Sequence, residues 1–186
     1  MAAMVCPPWL GYFLLSPLRK IVEHPEKMLG PLVREGMTVL EPGSGMGYFT
    51  LPLARMVGPT GRVVAVDIQP KMIAALTRRA RKAGLAERIV ARQSSPKGFG
   101  LGDLSGTVDV AVAIHVVHEI PGRLDFFSEM WAALKPAGKL LVVEPKGHVS
   151  RQAFAQTVEE ATEAGFTQAP VTWKLGGRSA VFVKGA

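Results

Sequence analysis

Two short stretches hold the residues best suited to chemistry. VLEPGSGMGYFT, residues 39–50, is an apolar run that meets an acid, Glu41, and then glycines at alternate positions, Gly43, Gly45 and Gly47. Glycine is required where a backbone takes positive φ or must approach a ligand with no Cβ in the way. A strand that enters such a turn and then a helix offers bare N–H groups to a bound molecule. The second stretch, VVAVDIQ at 63–69, is apolar up to Asp67, which stands twenty residues beyond Gly47. A carboxylate there can accept both hydroxyls of a ribose. Together the two stretches point to an adenosine-bearing ligand.

The glycine spacing narrows the choice. The dinucleotide fingerprint places glycines at i, i+2 and i+5; here the third falls at i+4 and Tyr48 occupies i+5. A phosphate loop needs Gly-Lys-Ser/Thr, and no lysine lies between Glu41 and Thr60. A short-chain dehydrogenase needs Tyr-x-x-x-Lys, but Tyr12 and Tyr48 are followed at i+4 by Ser16 and Pro52. Farther along, His115 and His118 follow the apolar run 108–114, Glu144 ends another, and His148 comes shortly after it. An imidazole titrates near neutrality and suits the removal of a proton, so His115 and His118 are candidate bases. They could equally be hydrogen-bonded turn residues. HVVHE lacks the His-Glu-x-x-His order of a zinc helix, and no metal is expected.

The elements that must position these groups alternate. Strands are expected at Thr38–Glu41, Arg62–Asp67, Ile89–Gln93, Val108–Ile114 and Lys139–Glu144. Helices are expected at Pro17–Leu29, Gly47–Met56, Pro70–Gly84, Pro121–Leu134 and Ser150–Ala164. Val171–Leu175 and Ser179–Lys184 flank Gly176-Gly177 and read as a closing hairpin. The pattern predicts one α/β domain over residues 1–186, a doubly wound, mostly parallel sheet with an antiparallel hairpin at its end. Its 186 residues suffice for one core. A net charge of +7 favours anionic partners, yet the basic run Arg78, Arg79, Arg81, Lys82 reads as a solvated helix face, without aromatics to stack bases. One cysteine, Cys6, leaves no intramolecular disulfide and fits a cytoplasmic protein. No apolar run reaches the ~18 residues of a membrane span. The N-terminal segment, interrupted by Pro7, Pro8 and Pro17, reads as part of the mature protein; its Trp9, Tyr12 and Phe13 could dock on the core or form a lid.

The acid-x-Gly-x-Gly-x-Gly pattern resembles motif I of the class I S-adenosylmethionine-dependent methyltransferases. VDVAVAIHVVHEI is similar to their motif IV region and LKPAGKLLVVEP to the turn and strand that follow. The most similar branch is the small-molecule one that includes the ubiquinone/menaquinone methyltransferases. The resemblance covers the chain from about residue 30 and implies a Rossmann-like seven-stranded sheet, S-adenosyl-L-methionine as cofactor and S-adenosyl-L-homocysteine as product. It implies that Glu41 faces the methionine end, that Gly43, Ser44, Gly45 and Gly47 wrap it, that Asp67 holds the ribose and that Ile68 packs on adenine. Many relatives carry an aspartate after strand three; this chain has Gln93, Ser94 and Ser95, and a hydroxyl such as that of Ser95 could take its place. The Asn-Pro-Pro-Tyr signature of planar-amine methylation is absent. A small-molecule acceptor is therefore the leading reading. RNA methylation, supported only by net charge, and a non-catalytic cofactor-binding partner protein are the alternatives.

Overall fold

The computed structural model describes residues 23–96 and 98–185. The N-terminal aromatic cluster and the first part of the expected helix Pro17–Leu29 lie outside them. Seven strands form one sheet: β1 (Thr38–Pro42), β2 (Arg62–Asp67), β3 (Ile89–Gln93), β4 (Val108–Ile114), β5 (Leu134–Glu144), β6 (Phe166–Ala169) and β7 (Arg178–Lys184). Their order is β3-β2-β1-β4-β5-β7-β6, with β7 antiparallel to both β5 and β6. The remaining pairs are parallel. Chain order reverses direction between β1 and β4, which makes the crevice beyond their C-terminal ends the place where such sheets bind ligands.

Burial on both faces explains the uninterrupted apolar strands. Along β1, β2 and β4, successive side chains enter opposite cores. Val39, Val63, Val110 and Val112 join one, and Leu40, Val64, Ala111 and Ala113 join the other. The first core is covered by α1 (Pro25–Leu29) and α2 (Thr50–Met56), through Met28, Leu29 and Leu53. The second is covered by α4 (Arg123–Ala133) and α5 (Arg151–Glu163), where Phe126, Phe127 and Met130 are fully buried. α3 (Pro70–Lys82) packs beside β2 and β3, and proline opens it at its first turn. Ser150 caps α5 by accepting the Ala153 N–H at 3.0 Å.

Most expected elements are present, with four corrections. The helix after the glycine turn begins at Thr50 rather than near Gly47, because three positive-φ glycines keep residues 43–49 in turns. The helix before β5 spans Arg123–Ala133, starting after Gly122, whose φ of 74° lies outside the helical region. β5 begins at Leu134, which the sequence assigns to the preceding helix, and takes in Lys135-Pro136-Ala137-Gly138, which reads as a tight turn; Val108 pairs with Leu134 and Val110 with Lys139, so an irregularity absorbs the turn within the strand. The closing hairpin is also different. Its first arm is β6, Phe166–Ala169, and residues 171–175 are not a strand. They form a connection packed on the first core by Val171, Trp173 and Leu175.

Candidate active site

The glycine turn is fastened to the end of β2. The Gly43 and Ser44 N–H groups both donate to the Val66 carbonyl, at 2.8 and 3.0 Å. The Gly45 N–H donates to Asp67 Oδ2 at 2.8 Å, while the Gln69 N–H donates to Oδ1 at 2.9 Å. Asp67 thus organises the turn with one lone pair on each oxygen and keeps others for a ligand. It is buried, and that burial raises its pKa despite the two backbone donors. Ile68, next along, exposes its apolar side chain.

The three glycines have different reasons to be glycine. A Cβ on Gly43 would lie 2.4 Å from Val116 Cγ2, and one on Gly47 would lie 2.4 Å from Leu76 Cδ1. These two let the turn close on the segment after β4 and on α3. A Cβ on Gly45 meets nothing within 4 Å, although its φ of 53° is a conformation that side chains disfavour. Only the middle glycine faces open space, beside the Asp67 carboxylate. The adjacent Ser44 hydroxyl is buried with no hydrogen-bond partner among the described residues. An open cradle flanked by an orphaned hydroxyl and a carboxylate fits a polar ligand with a sugar diol.

Beneath the turn, Glu41 is buried and accepts the Thr50 hydroxyl at 2.5 Å. Removal from water, reinforced by the nearby Asp67 charge and opposed by the Thr50 bond, pushes its pKa up to about 8. Burial thus favours the neutral form of Glu41, which ionises more readily when a cation approaches. Thr50 gave no signal in the sequence. Neither did Arg79, read there as part of a solvated stripe. Its partly buried guanidinium donates to the Met46 carbonyl and ties α3 to the glycine turn, while Arg78, Arg81 and Lys82 stay exposed.

Across the crevice lies a second constellation. The His118 ring Nδ1 pairs with Glu144 Oε2, and the His118 backbone N–H donates to Glu144 Oε1 at 3.2 Å. Glu144 ends β5 and is 1% exposed. Such a clamp fixes the imidazole and leaves Nε2 as the outward nitrogen. The Glu144 hydrogen bond is the main cause of a raised His118 pKa, helped by the Glu144 and Glu119 charges and opposed by burial. His148 stands nearby, its ring centroid 6.3 Å from that of His118. His115 is engaged differently. Its φ is 58°, its N–H donates to the Val143 carbonyl at 2.7 Å, and Nε2 meets Glu23 Oε1 at 3.1 Å. The Glu23 carbonyl in turn accepts the Tyr48 hydroxyl at 2.9 Å. The chain before α1 is thus held against both the glycine turn and the segment after β4.

The structure brings Glu41, Gly43, Ser44, Gly45 and Asp67 into one cluster, and His118, His148 and Glu144 into another. Ser95 lies in the loop after β3. Its side chain is exposed and its backbone closes a small turn with Gly98, although the neighbouring Ser94 N–H donates to the Asp67 carbonyl at 3.1 Å. Among the described residues no group of three or more His, Cys, Asp or Glu side chains could hold a metal ion, and no helix is long and apolar enough to cross a membrane.

These features have counterparts in known proteins. The methyltransferase domain family matches residues 33–178. The ubiquinone/menaquinone biosynthesis C-methyltransferase UbiE of Enterobacter sp. (strain 638) is 32% identical over 112 residues, 60% of this chain and 44% of the relative. The aligned part is thus less than half the length of that relative. A SAM-dependent methyltransferase from Aquifex aeolicus superposes with a TM-score of 0.83 at 26% identity, covering 96% of this chain and 97% of the other. A SAM-dependent O-methyltransferase from Thermotoga maritima gives 0.63 at 20% identity over 98% and 67%, a likeness of fold. The glycine turn, the sheet order and these matches agree, and the chain belongs to the class I S-adenosylmethionine-dependent methyltransferases.

Proposed function

We propose that this protein transfers a methyl group from S-adenosylmethionine to a small molecule, with His118 as the base. The observation that carries this reading is the double contact of His118 with the buried Glu144, just after β4 and two residues beyond Val116, which lies against Gly43 of the glycine turn. When bound, the cofactor supplies a methyl group on a sulfonium that a nucleophile can displace. The protein supplies the rest. Asp67 would hold the ribose hydroxyls, Ile68 would lie against adenine, and Gly43, Ser44, Gly45 and Gly47 would surround the methionine end, with Glu41 below. Ser95 would border the adenine side.

His118 would take the acceptor's proton at Nε2 as the new bond forms, and Glu144 would stabilise the resulting imidazolium. His115, locked to Glu23, is better suited to positioning the chain before α1 than to moving a proton. Curated relatives named for ubiquinone and menaquinone biosynthesis support a small acceptor rather than RNA.

Labelled S-adenosylmethionine incubated with separate RNA and small-molecule cell fractions tests the proposal. Label should enter the small-molecule fraction. His118→Ala should lower that rate by about 100-fold if it is a base while leaving cofactor affinity unchanged. Label found only in RNA, or a His118→Ala rate equal to the parent's, would overturn it.

A further inference from the structure

Next to the crevice lies a cleft of about 420 Å³ whose charged groups the reaction above does not use. Lys27 on α1, Lys146 just after β5 and Lys174 in the connection before β7 all line it, with His24, Met28 and Leu175. No carboxylate side chain is among its described lining residues, and none of the three lysines is paired with an acid there. Three cations converging on one concavity raise the local concentration of anions.

The walls are pinned. The Trp173 indole N–H donates to the Met28 carbonyl at 3.0 Å, and Arg178 Nε donates to the Val149 carbonyl at 2.6 Å. Gly177 closes against the end of β5, since a Cβ there would lie 2.4 Å from the Glu144 carbonyl oxygen. The cleft is also continuous with the second constellation. The turn that follows Glu144 carries Lys146 into the cleft and His148 towards His118, and the Pro145 carbonyl accepts the His148 N–H at 3.1 Å. On the other wall, His24 adjoins Glu23, the partner of His115.

We propose that the methyl acceptor carries an anionic group, a carboxylate or a phosphate, that seats among Lys27, Lys146 and Lys174 and so directs its reactive atom to His118. This rests on the methyltransferase reading for the nature of the acceptor, whereas the cleft's preference for anions does not depend on it. A three-point cationic seat on pinned walls would orient an otherwise small ligand, which is how positioning accelerates a displacement.

The test titrates the full chain, with and without saturating S-adenosylhomocysteine, with benzoate, phenyl phosphate and the neutral benzyl alcohol. Both anions should bind at least about tenfold more tightly than benzyl alcohol at low ionic strength. The triple variant K27Q/K146Q/K174Q should lose that preference to within about twofold, at unchanged S-adenosylhomocysteine affinity. Lys82→Gln, which removes an exposed charge elsewhere, should keep it. Stronger binding of phenyl phosphate assigns the seat to phosphates, and stronger binding of benzoate to carboxylates. Equal binding of the neutral probe, no saturation by either anion up to about 10 mM, or a triple variant that keeps the preference would overturn the proposal. Absence of S-adenosylhomocysteine binding would instead sink the methyltransferase reading, and the anion preference would still be read without it.

Discussion

The two sides of the crevice are built in different ways. On the side of β1 and β2, the groups come from residues 41–50 and 67–69, and backbone N–H groups hold them: Gly43 and Ser44 on Val66, Gly45 and Gln69 on Asp67. On the side of β4 and β5, His118 and Glu144 lie 26 residues apart and meet through a side chain. The first design fixes a shape suited to a ligand that carries a diol. The second fixes the orientation of one imidazole and raises its pKa. A cofactor shared across a family suits the first, and an acceptor particular to one enzyme suits the second.

The loops of the two halves come together where Gly43 meets Val116, and breaking that contact should have the largest effect. Gly43→Val places a branched side chain at φ 72° against Val116, so both cofactor binding and turnover should be lost together. Gly45→Val strains its own turn but meets no neighbour; it should lose cofactor binding while the melting curve shows a folded domain. Thermal melts and calorimetric titration of the pair distinguish the two. If Gly43→Val binds cofactor like the parent, the loops are not coupled there.

Asp67→Ala should act on one side only. Losing charge-assisted hydrogen bonds worth ~1.5–3 kcal/mol each weakens S-adenosylhomocysteine binding roughly ten- to a hundred-fold. At saturating cofactor, turnover should change far less. An unaltered dissociation constant would remove Asp67 from the cofactor site.

Glu144→Gln probes the opposite side through a pH profile. His118 must be neutral to accept a proton, and Glu144 holds its pKa above the ordinary imidazole value. The rate should therefore rise with pH through a midpoint above that value, and Glu144→Gln should move the midpoint down. A midpoint that stays in place would separate Glu144 from His118 function.

The smallest effect expected is on stability. Glu41 has a folded pKa of about 8 against an ordinary 4.5. A raised pKa means that its contribution is fully present below pH 4.5 and is lost as pH rises through 8. Asp67 and His118 are shifted in the same direction. Melting temperature should fall across this window, and Glu41→Gln should flatten the fall. A variant whose profile parallels the parent's would show that Glu41 does not titrate there.

The β1–β2 side was legible because its determinants are local. Glycine spacing and a strand-ending acid follow directly from steric and hydrogen-bond demands on a few neighbouring residues. Bounds were less legible where backbone conformation competes with helix propensity, as at residues 43–49, or where packing overrides turn composition. Gly176-Gly177 reads as a hairpin turn, yet Trp173 and Leu175 are drawn into the core and β6 forms earlier, at Phe166.

By itself the sequence determined the alternation of strands and helices, the glycine cradle and the position of Asp67, because periodicity and glycine conformational freedom are properties of short stretches. Only the tertiary structure decided which glycine faces open space, that Arg79 braces the turn, that burial favours the neutral form of Glu41, and that His118 rather than His115 meets Glu144. Each of these depends on burial or on contacts between distant residues. Desolvation and side-chain partnership are consequences of packing, and packing of this kind is not encoded in any single stretch of chain.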